Sequence, residues 1–100
     1  MNKIIPHELL YSIPDLYETE ESPDPICHVK LFLPGTNWTW YVTELSKHDQ
    51  NLCFGYVIGL ESELGYFSLE ELESLQSSLG LAVERDESFK PTPLSAIKVQ

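Results

Sequence analysis

The chain has 100 residues and a formal net charge of −10, from 16 acidic residues against 6 Lys and Arg. This length predicts one domain, and 42% hydrophobic residues indicate a folded core rather than a disordered chain. The negative charge repels nucleic acid and anionic lipid, so we expect no direct nucleic-acid binding and no membrane binding, and we favour a basic protein as partner. The sequence contains neither a signal-peptide pattern nor an apolar run long enough to span a bilayer, which predicts a cytoplasmic location.

Residues 1–25 predict an irregular N-terminal segment. The apolar residues at positions 9, 10, 13 and 16 have helical spacing, but Pro14 interrupts it, so we expect one or two short turns. The run YETEESPDP follows; it is acidic and bounded by prolines, which predicts a loop.

Three strand-like segments come next. ICHVKLFL alternates, TWYVTEL is rich in β-branched and aromatic residues, and LCFGYVIGL is apolar on both faces, as in a central strand. Gly55 and Gly59 share one face of the third segment, which predicts that bulky groups pack across it. The short turns PGTN and SKHDQN predict that the strands form an antiparallel meander.

The stretch NWTWYVTE places Trp38 and Trp40 on one face of the second strand. Two interpretations are open: a core surface for a helix, or an exposed aromatic patch for a peptide or a base. We favour the core, with at least one indole largely buried, since the surrounding charge argues against stacking on nucleic acid.

A helix is predicted after the third strand. The motif S-L-E-E is a capping box with Ser68 as N-cap and Glu71 at N3, and Gly80 is a natural stop. An apolar stripe marks the buried face: Leu69, Leu72, Leu75 and Leu79. LAVERD predicts a short edge strand, and residues 88–100 an extended C-terminal tail. The predicted fold is α+β: residues 1–100 form a single domain in which an antiparallel sheet of three to four strands carries one main amphipathic helix on one face.

The segments SPDPICHVKLFLPGTNWTWYVTE, FGYVIGLESELGYFSLEELESL and LGLAVERDESFKPTPLSAI resemble the family called domain of unknown function 2958, over roughly residues 9–97. The resemblance implies a compact bacterial domain that is often carried on plasmids and other mobile elements. It therefore implies a role in DNA maintenance, transfer, or defence and counter-defence. It brings no catalytic residues.

The sequence contains no established catalytic or metal-binding motif. Its three histidines are scattered, and Cys27 and Cys53 lack the spacing of a zinc site. We expect both cysteines to be reduced and buried, and we expect no metal and no other cofactor. No phosphate-binding glycine loop and no nucleophile elbow is present. The sequence favours a non-enzymatic role.

Acidic residues are the main functional signal. Between Lys47 and Arg85 the sequence has seven acids and neither Lys nor Arg. We predict a small acidic protein-interaction module whose partner-binding residues are Glu61, Glu63, Glu70, Glu71 and Glu73. Three alternatives remain open: an enzyme or metal binder using clustered carboxylates such as Glu61, Glu63, Glu84 and Asp86; an anionic nucleic-acid mimic that inhibits a DNA-binding protein; and self-association through an exposed sheet edge.

Overall fold

A computed structural model describes residues 4–99. Residues 1–3 of the predicted irregular segment and residue 100 of the predicted tail lie outside the described residues. The elements in chain order are α1 (His7–Leu10), β1 (Ile26–Cys27), β2 (Val29–Phe32), β3 (Thr39–Leu45), β4 (Leu52–Ile58), β5 (Ser62–Ser68), α2 (Leu69–Ser74), β6 (Glu84–Arg85), β7 (Thr92–Pro93) and α3 (Leu94–Lys98). None of the helices described for residues 4–99 has the length and apolar character needed to cross a bilayer.

The fold is built mainly from strands. One antiparallel sheet has five strands in the order β5-β4-β3-β2-β6, and β1 pairs with β7 in a second, two-stranded sheet. The predicted architecture, a sheet of three to four strands with one main amphipathic helix, is therefore wrong: the sheet is larger, and the helices are only short covering pieces.

The predicted helix ends early, and a turn stabilised by the Ser77 hydroxyl follows it. Ser68 caps α2 as predicted, since its hydroxyl accepts the N–H of Glu71 at 3.0 Å. The helix then stops after six residues, at Ser74. Beyond it, the Ser77 hydroxyl accepts the N–H groups of residues 79 and 81 at 3.2 Å each, which stabilises a turn in place of helix. Leu69 and Leu72 are buried, whereas Leu75 and Leu79, which lie beyond the end of the helix, are 40% and 78% exposed.

The strand β5 was not predicted from the sequence, because its residues directly precede the predicted helix and were not recognised as a separate strand. Its seven residues pair with β4 in continuous register, from Ser62 opposite Ile58 to Ser68 opposite Leu52. Gly65 in its centre weakens the β signal, and the capping box directly behind it dominates the local pattern. The first predicted strand also divides: Cys27 pairs with Thr92 in the small sheet, while β2 begins only at Val29.

The central strand β3 contains a bulge at Thr43. Val42 lies opposite Gly55, but Glu44 lies opposite Phe54, so Thr43 is an extra residue in the ladder. Its hydroxyl donates to the carbonyl of Phe54 at 2.9 Å, which satisfies the buried side chain. Because a bulge shifts the alternation by one residue, Glu44 comes to lie on the same face as Tyr41.

The two faces of the five-stranded sheet support separate cores. The tryptophan face, with Trp40 at its centre, is covered by the N-terminal segment and α2; its buried residues are Ile5, Leu10, Ile13, Val29, Leu31, Leu33, Trp40, Val42, Leu45, Cys53, Phe67, Leu69, Leu72 and Val83. The tyrosine face is covered by the C-terminal segment; its buried residues are Cys27, Tyr41, Leu94 and Ile97. Of the four leucines in the predicted stripe, Leu69 and Leu72 are buried in the same cluster as Trp40. The predicted extended tail contains β7 and ends in the helical turn α3.

Both glycines predicted to lie under bulky groups are covered, by different groups. An added Cβ at Gly59 would meet the indole of Trp38 at 2.2 Å, and this indole stacks on Trp40 with ring centroids 5.9 Å apart. At Gly55 the obstacle is main chain: an added Cβ would lie 1.8 Å from the carbonyl oxygen of Tyr41. Trp40 is 5% exposed and Trp38 37%, so one indole belongs to the core and the other shields its end.

The opposed pair Gly55 and Gly65 provides a matched test of the sheet. Gly55→Ala should lower the free energy of unfolding by about 3 kcal/mol or more, because main chain must move to admit the methyl group. Gly65→Ala should leave it unchanged or raise it by up to about 1 kcal/mol, because nothing lies within 4 Å of its added Cβ. Denaturant unfolding measures both; equal stability of the two variants would contradict the register of β3 and β4.

The two free cysteines are buried on opposite faces, Cys27 in one core and Cys53 in the other. Burial raises the pKa of each thiol to about 12, so both stay protonated and unreactive in the folded chain. Because the pKa of each thiol is higher in the folded chain than in the unfolded one, folding stability should fall as the pH rises past about 9.

At pH 8 a thiol reagent should label two cysteines rapidly in denaturant and neither rapidly in the native chain. Immediate native labelling of either cysteine would contradict this burial.

Candidate functional site

A loop rich in carboxylates borders the tyrosine face. This segment, residues 15–25, is here called the acidic loop; its acids are Asp15, Glu18, Glu20, Glu21 and Asp24. Asp24 fixes its far end to the start of α3, because its carboxylate accepts the N–H of Ser95 at 2.9 Å and the hydroxyl of Ser95 at 2.7 Å. These bonds hold the pKa of Asp24 below its ordinary value. The loop is therefore attached to the fold at a defined place.

The buried carboxylate of Glu44 fixes the middle of the acidic loop. Glu44 is only 4% exposed, yet its oxygens accept the Tyr17 N–H at 2.8 Å, the Thr19 N–H at 2.9 Å and the Thr19 hydroxyl. All three donors that the structure describes for it are uncharged. A buried anion that lacks a paired cation is costly unless several donors surround it, so the loop and Glu44 stabilise each other.

Tyr17 has a left-handed backbone, with φ of 71°. This region is rare for residues with a bulky side chain and costs on the order of 1–3 kcal/mol. The hydrogen bond from its N–H to Glu44 holds this conformation. As a result the Tyr17 ring, 64% exposed, is presented beside Tyr66 of β5 rather than turned into the core.

The acidic loop and the tyrosine face enclose a groove of about 390 Å³, here called the tyrosine groove. Its apolar wall comes from β4 and β5, where the rings of Phe54 and Tyr66 meet with centroids 4.9 Å apart. Its lining includes Tyr17, Glu20, Glu44, Phe54, Leu64 and Tyr66. Aromatic rings, an exposed leucine and carboxylates therefore converge on one concave surface.

Two carboxylates, Glu20 and Glu44, and the ammonium group of Lys98 line the groove. The pKa of Tyr66 is raised, first by a hydrogen bond with the Tyr17 side chain, and further by the charges of Glu44 and Glu20. Lys98 lines the rim, and its ammonium nitrogen lies 5.5 Å from the ring centroid of Tyr56 on the same face. A second such contact lies on the same face, where the ammonium nitrogen of Lys30 is 5.9 Å from the ring centroid of Tyr41.

The five glutamates predicted to bind a partner fall into separate groups. Glu61 and Glu63 lie exposed at the hairpin between β4 and β5, whereas Glu70 and Glu71 lie exposed in the first turn of α2. The seven residues of β5 separate these groups by about 20 Å. Glu73 is half-buried and lines a second, wider depression beside Arg85. The five therefore do not form one continuous patch, but four of them lie at or beside the two ends of β5.

The carboxylates considered for catalysis or metal binding also lie apart. Glu84 begins β6 and Asp86 follows it, at the edge of the sheet opposite to β5 and the Glu61–Glu63 pair. Asp86 forms a 3.8 Å ion pair with Lys30 and accepts two hydrogen bonds from Ser88. Within residues 4–99, no three His, Cys, Asp or Glu side chains are grouped to hold a metal ion.

Glu44, Tyr17 and Tyr66 were not identified as site residues from the sequence. Glu44 ends the aromatic run TWYVTE, and simple alternation assigns it to the same face as the two tryptophans. Only the bulge at Thr43 moves it to the tyrosine face. A lone carboxylate inside a strongly apolar strand is a usable signal, since such a group must find donors when it is buried.

The Glu44 bonds provide a test of the loop attachment. Glu44→Gln should lower the free energy of unfolding by about 2–3 kcal/mol. One of the two oxygens that now accept hydrogen bonds would be replaced by an NH₂ group, which is itself a donor and would face the N–H and O–H donors of the loop. Protease cleavage within residues 15–25 should accelerate. Glu21→Gln, a substitution in the exposed part of the same loop, should change neither quantity. Equal behaviour of the two variants in denaturant unfolding and proteolysis would contradict the role of Glu44.

Comparisons with known proteins give one finding. Comparison with curated proteins gave no match, and comparison with solved structures gave none either. A family model described as "Protein of unknown function (DUF2958)" matches residues 6–98, which include every strand and nearly all of the described fold. The chain therefore belongs to the DUF2958 family, as the resemblance of its segments indicated.

Proposed function

We propose that this chain is a small acidic protein-interaction module that binds a basic partner protein through the tyrosine groove. One observation carries the proposal: Tyr17 is kept in a strained backbone conformation that presents its ring at the groove. Strain of this kind lowers stability and persists only where the surrounding structure enforces it, here through Glu44. Such outliers concentrate at binding sites.

The chemistry of the groove favours Lys and Arg side chains of a partner. Their aliphatic stems pack on Phe54, Leu64 and the tyrosine rings, and their charged ends reach Glu20 and the edges of the acidic loop. The net charge of −10 attracts a basic partner over distance and speeds association at low salt. Tyrosine is also among the residues that contribute most to protein–protein binding energy.

The setting that we propose is the bacterial cytoplasm. Two reduced, buried cysteines fit a reducing compartment. The expectation that the family travels on mobile elements makes a DNA-maintenance, transfer or defence protein a fitting partner, since such proteins often carry basic surfaces. Imitation of a nucleic acid stays an alternative prediction. The two glutamate groups at the ends of β5 are its anionic candidates.

Peptide selection tests the proposed function. Short random peptides displayed on phage and selected on the immobilised chain should become enriched in Lys and Arg together with aromatic or aliphatic residues. Binding of the best synthetic peptide, measured by fluorescence anisotropy, should weaken as salt rises from about 50 to 500 mM. Enrichment of acidic or uncharged peptides, or affinity that is insensitive to salt, would end the proposal.

A pair of tyrosine variants locates the binding surface. Tyr17→Asn should weaken binding of that peptide about tenfold, yet leave the melting temperature unchanged or higher, because Asn tolerates a left-handed backbone better. Tyr11→Asn is the control: Tyr11 is 65% exposed, close to the 64% of Tyr17, but lies outside the groove. If the two variants bind equally well, or if Tyr17→Asn melts much earlier, Tyr17 serves stability rather than binding.

A further inference from the structure

The strand β5 forms an open edge of the five-stranded sheet. Among residues 4–99 its hydrogen-bonded neighbour is β4 alone, whereas the opposite edge of β2 is covered by β6. β5 is seven residues long and pairs with β4 without a bulge. Natural sheets usually protect an edge by keeping the strand short, bulged, or rich in charged residues and proline. β5 is long and regular, lacks lysine and proline, and carries one charged residue, Glu63.

The ladder determines which main-chain groups of β5 point outward. The N–H of Leu69 donates to the carbonyl of Asn51 at 3.0 Å, which makes the pair Leu52–Ser68 a non-hydrogen-bonded one. Since such pairs alternate with hydrogen-bonded ones, Leu64 and Tyr66 occupy the same kind of position as Ser68. Their N–H and C=O groups therefore point away from β4, into the space where a further strand would lie.

The surroundings of this edge select the charge of an incoming strand. Glu61 and Glu63 lie at one end of β5, Glu70 and Glu71 follow its other end, and Glu20 and Glu44 outnumber the single cation, Lys98, in the lining of the adjoining groove. A second copy of the chain would bring the same carboxylates to the same edge, and like charges opposite each other destabilise strand pairing. A basic strand has the complementary charge.

We propose that an extended basic segment of the partner protein pairs with β5 as a sixth strand of the sheet. This inference rests on the proposed function and specifies how the partner binds. Main-chain hydrogen bonds to Leu64 and Tyr66 hold the segment, as in known recognition by strand addition. Its side chains alternate: one set lies over Leu64 and Tyr66 at the mouth of the tyrosine groove, and the other lies beside Glu63 on the tryptophan face.

A proline at the outward position separates main-chain pairing from side-chain contact. Leu64→Pro removes an N–H that makes no bond to β4, so the sheet should keep its ladder, but strand addition should lose a donor and meet a steric obstacle. With the selected basic peptide as probe, Leu64→Pro should bind at least about tenfold more weakly than Leu64→Ala, which removes only the side chain. Thermal unfolding confirms that both variants are folded.

Amide hydrogen exchange of the unmodified chain gives an independent measurement. In the free chain the N–H groups of Leu64 and Tyr66 should exchange much faster than those of Gly65 and Phe67, which point toward β4. Saturating peptide should slow Leu64 and Tyr66 strongly and change the other two little. Glu63→Lys should weaken the same peptide, since it reverses the charge beside the added strand.

The outcomes distinguish this inference from the proposed function. If a basic peptide binds and depends on Tyr17, but Leu64 and Tyr66 stay unprotected and Leu64→Pro binds like Leu64→Ala, strand addition is wrong and the groove function stands. If no basic peptide binds, both fail. If Leu64 and Tyr66 become protected without peptide as the protein concentration rises, a second copy occupies the edge and the inference is overturned.

Discussion

The bulge at Thr43 is the constraint on which the arrangement of the molecule depends. It shifts the alternation of the central strand by one residue, so Val42 supports the tryptophan core while Glu44 lies on the opposite face. In a regular ladder the carboxylate of Glu44 would enter the core around Trp40, where the buried side chains are hydrophobic. The bulge instead brings the buried carboxylate to the N–H groups of Tyr17 and Thr19 and the hydroxyl of Thr19 in the acidic loop.

The remaining features follow from this displacement. Glu44 organises residues 17–19, and the backbone strain at Tyr17 is sustained by that contact. The loop then stands away from the sheet far enough to leave a groove over β4 and β5, next to an edge strand without a second neighbour among the described residues. Apolar burial on the two faces holds the sheet, and the polar loop, fixed by Glu44, shapes the groove.

Part of this could be predicted from the sequence. Strongly periodic signals were reliable: the strands around Trp40 and Phe54, the Ser68 cap and the buried cysteines all appear in the structure. The predictions failed where a local signal competed with a distant one. The capping box concealed β5, whose pairing with β4 supplies its stability, and alternation alone placed Glu44 on the wrong face. A short segment of sequence determines neither a bulge nor the exposure of an edge strand, because both depend on which strands pair with it.

The bond between Asp24 and Ser95 joins parts of the chain that lie 71 residues apart in sequence. During synthesis the N-terminal half leaves the ribosome first. The tyrosine face stays exposed to water until Leu94 and Ile97 have been synthesised and can pack on it. Until then its aromatic surface is open to nonspecific contacts, in which the surplus negative charge keeps nascent chains apart. The same carboxylates that would attract a partner would thereby also reduce aggregation of the chain before its synthesis is complete.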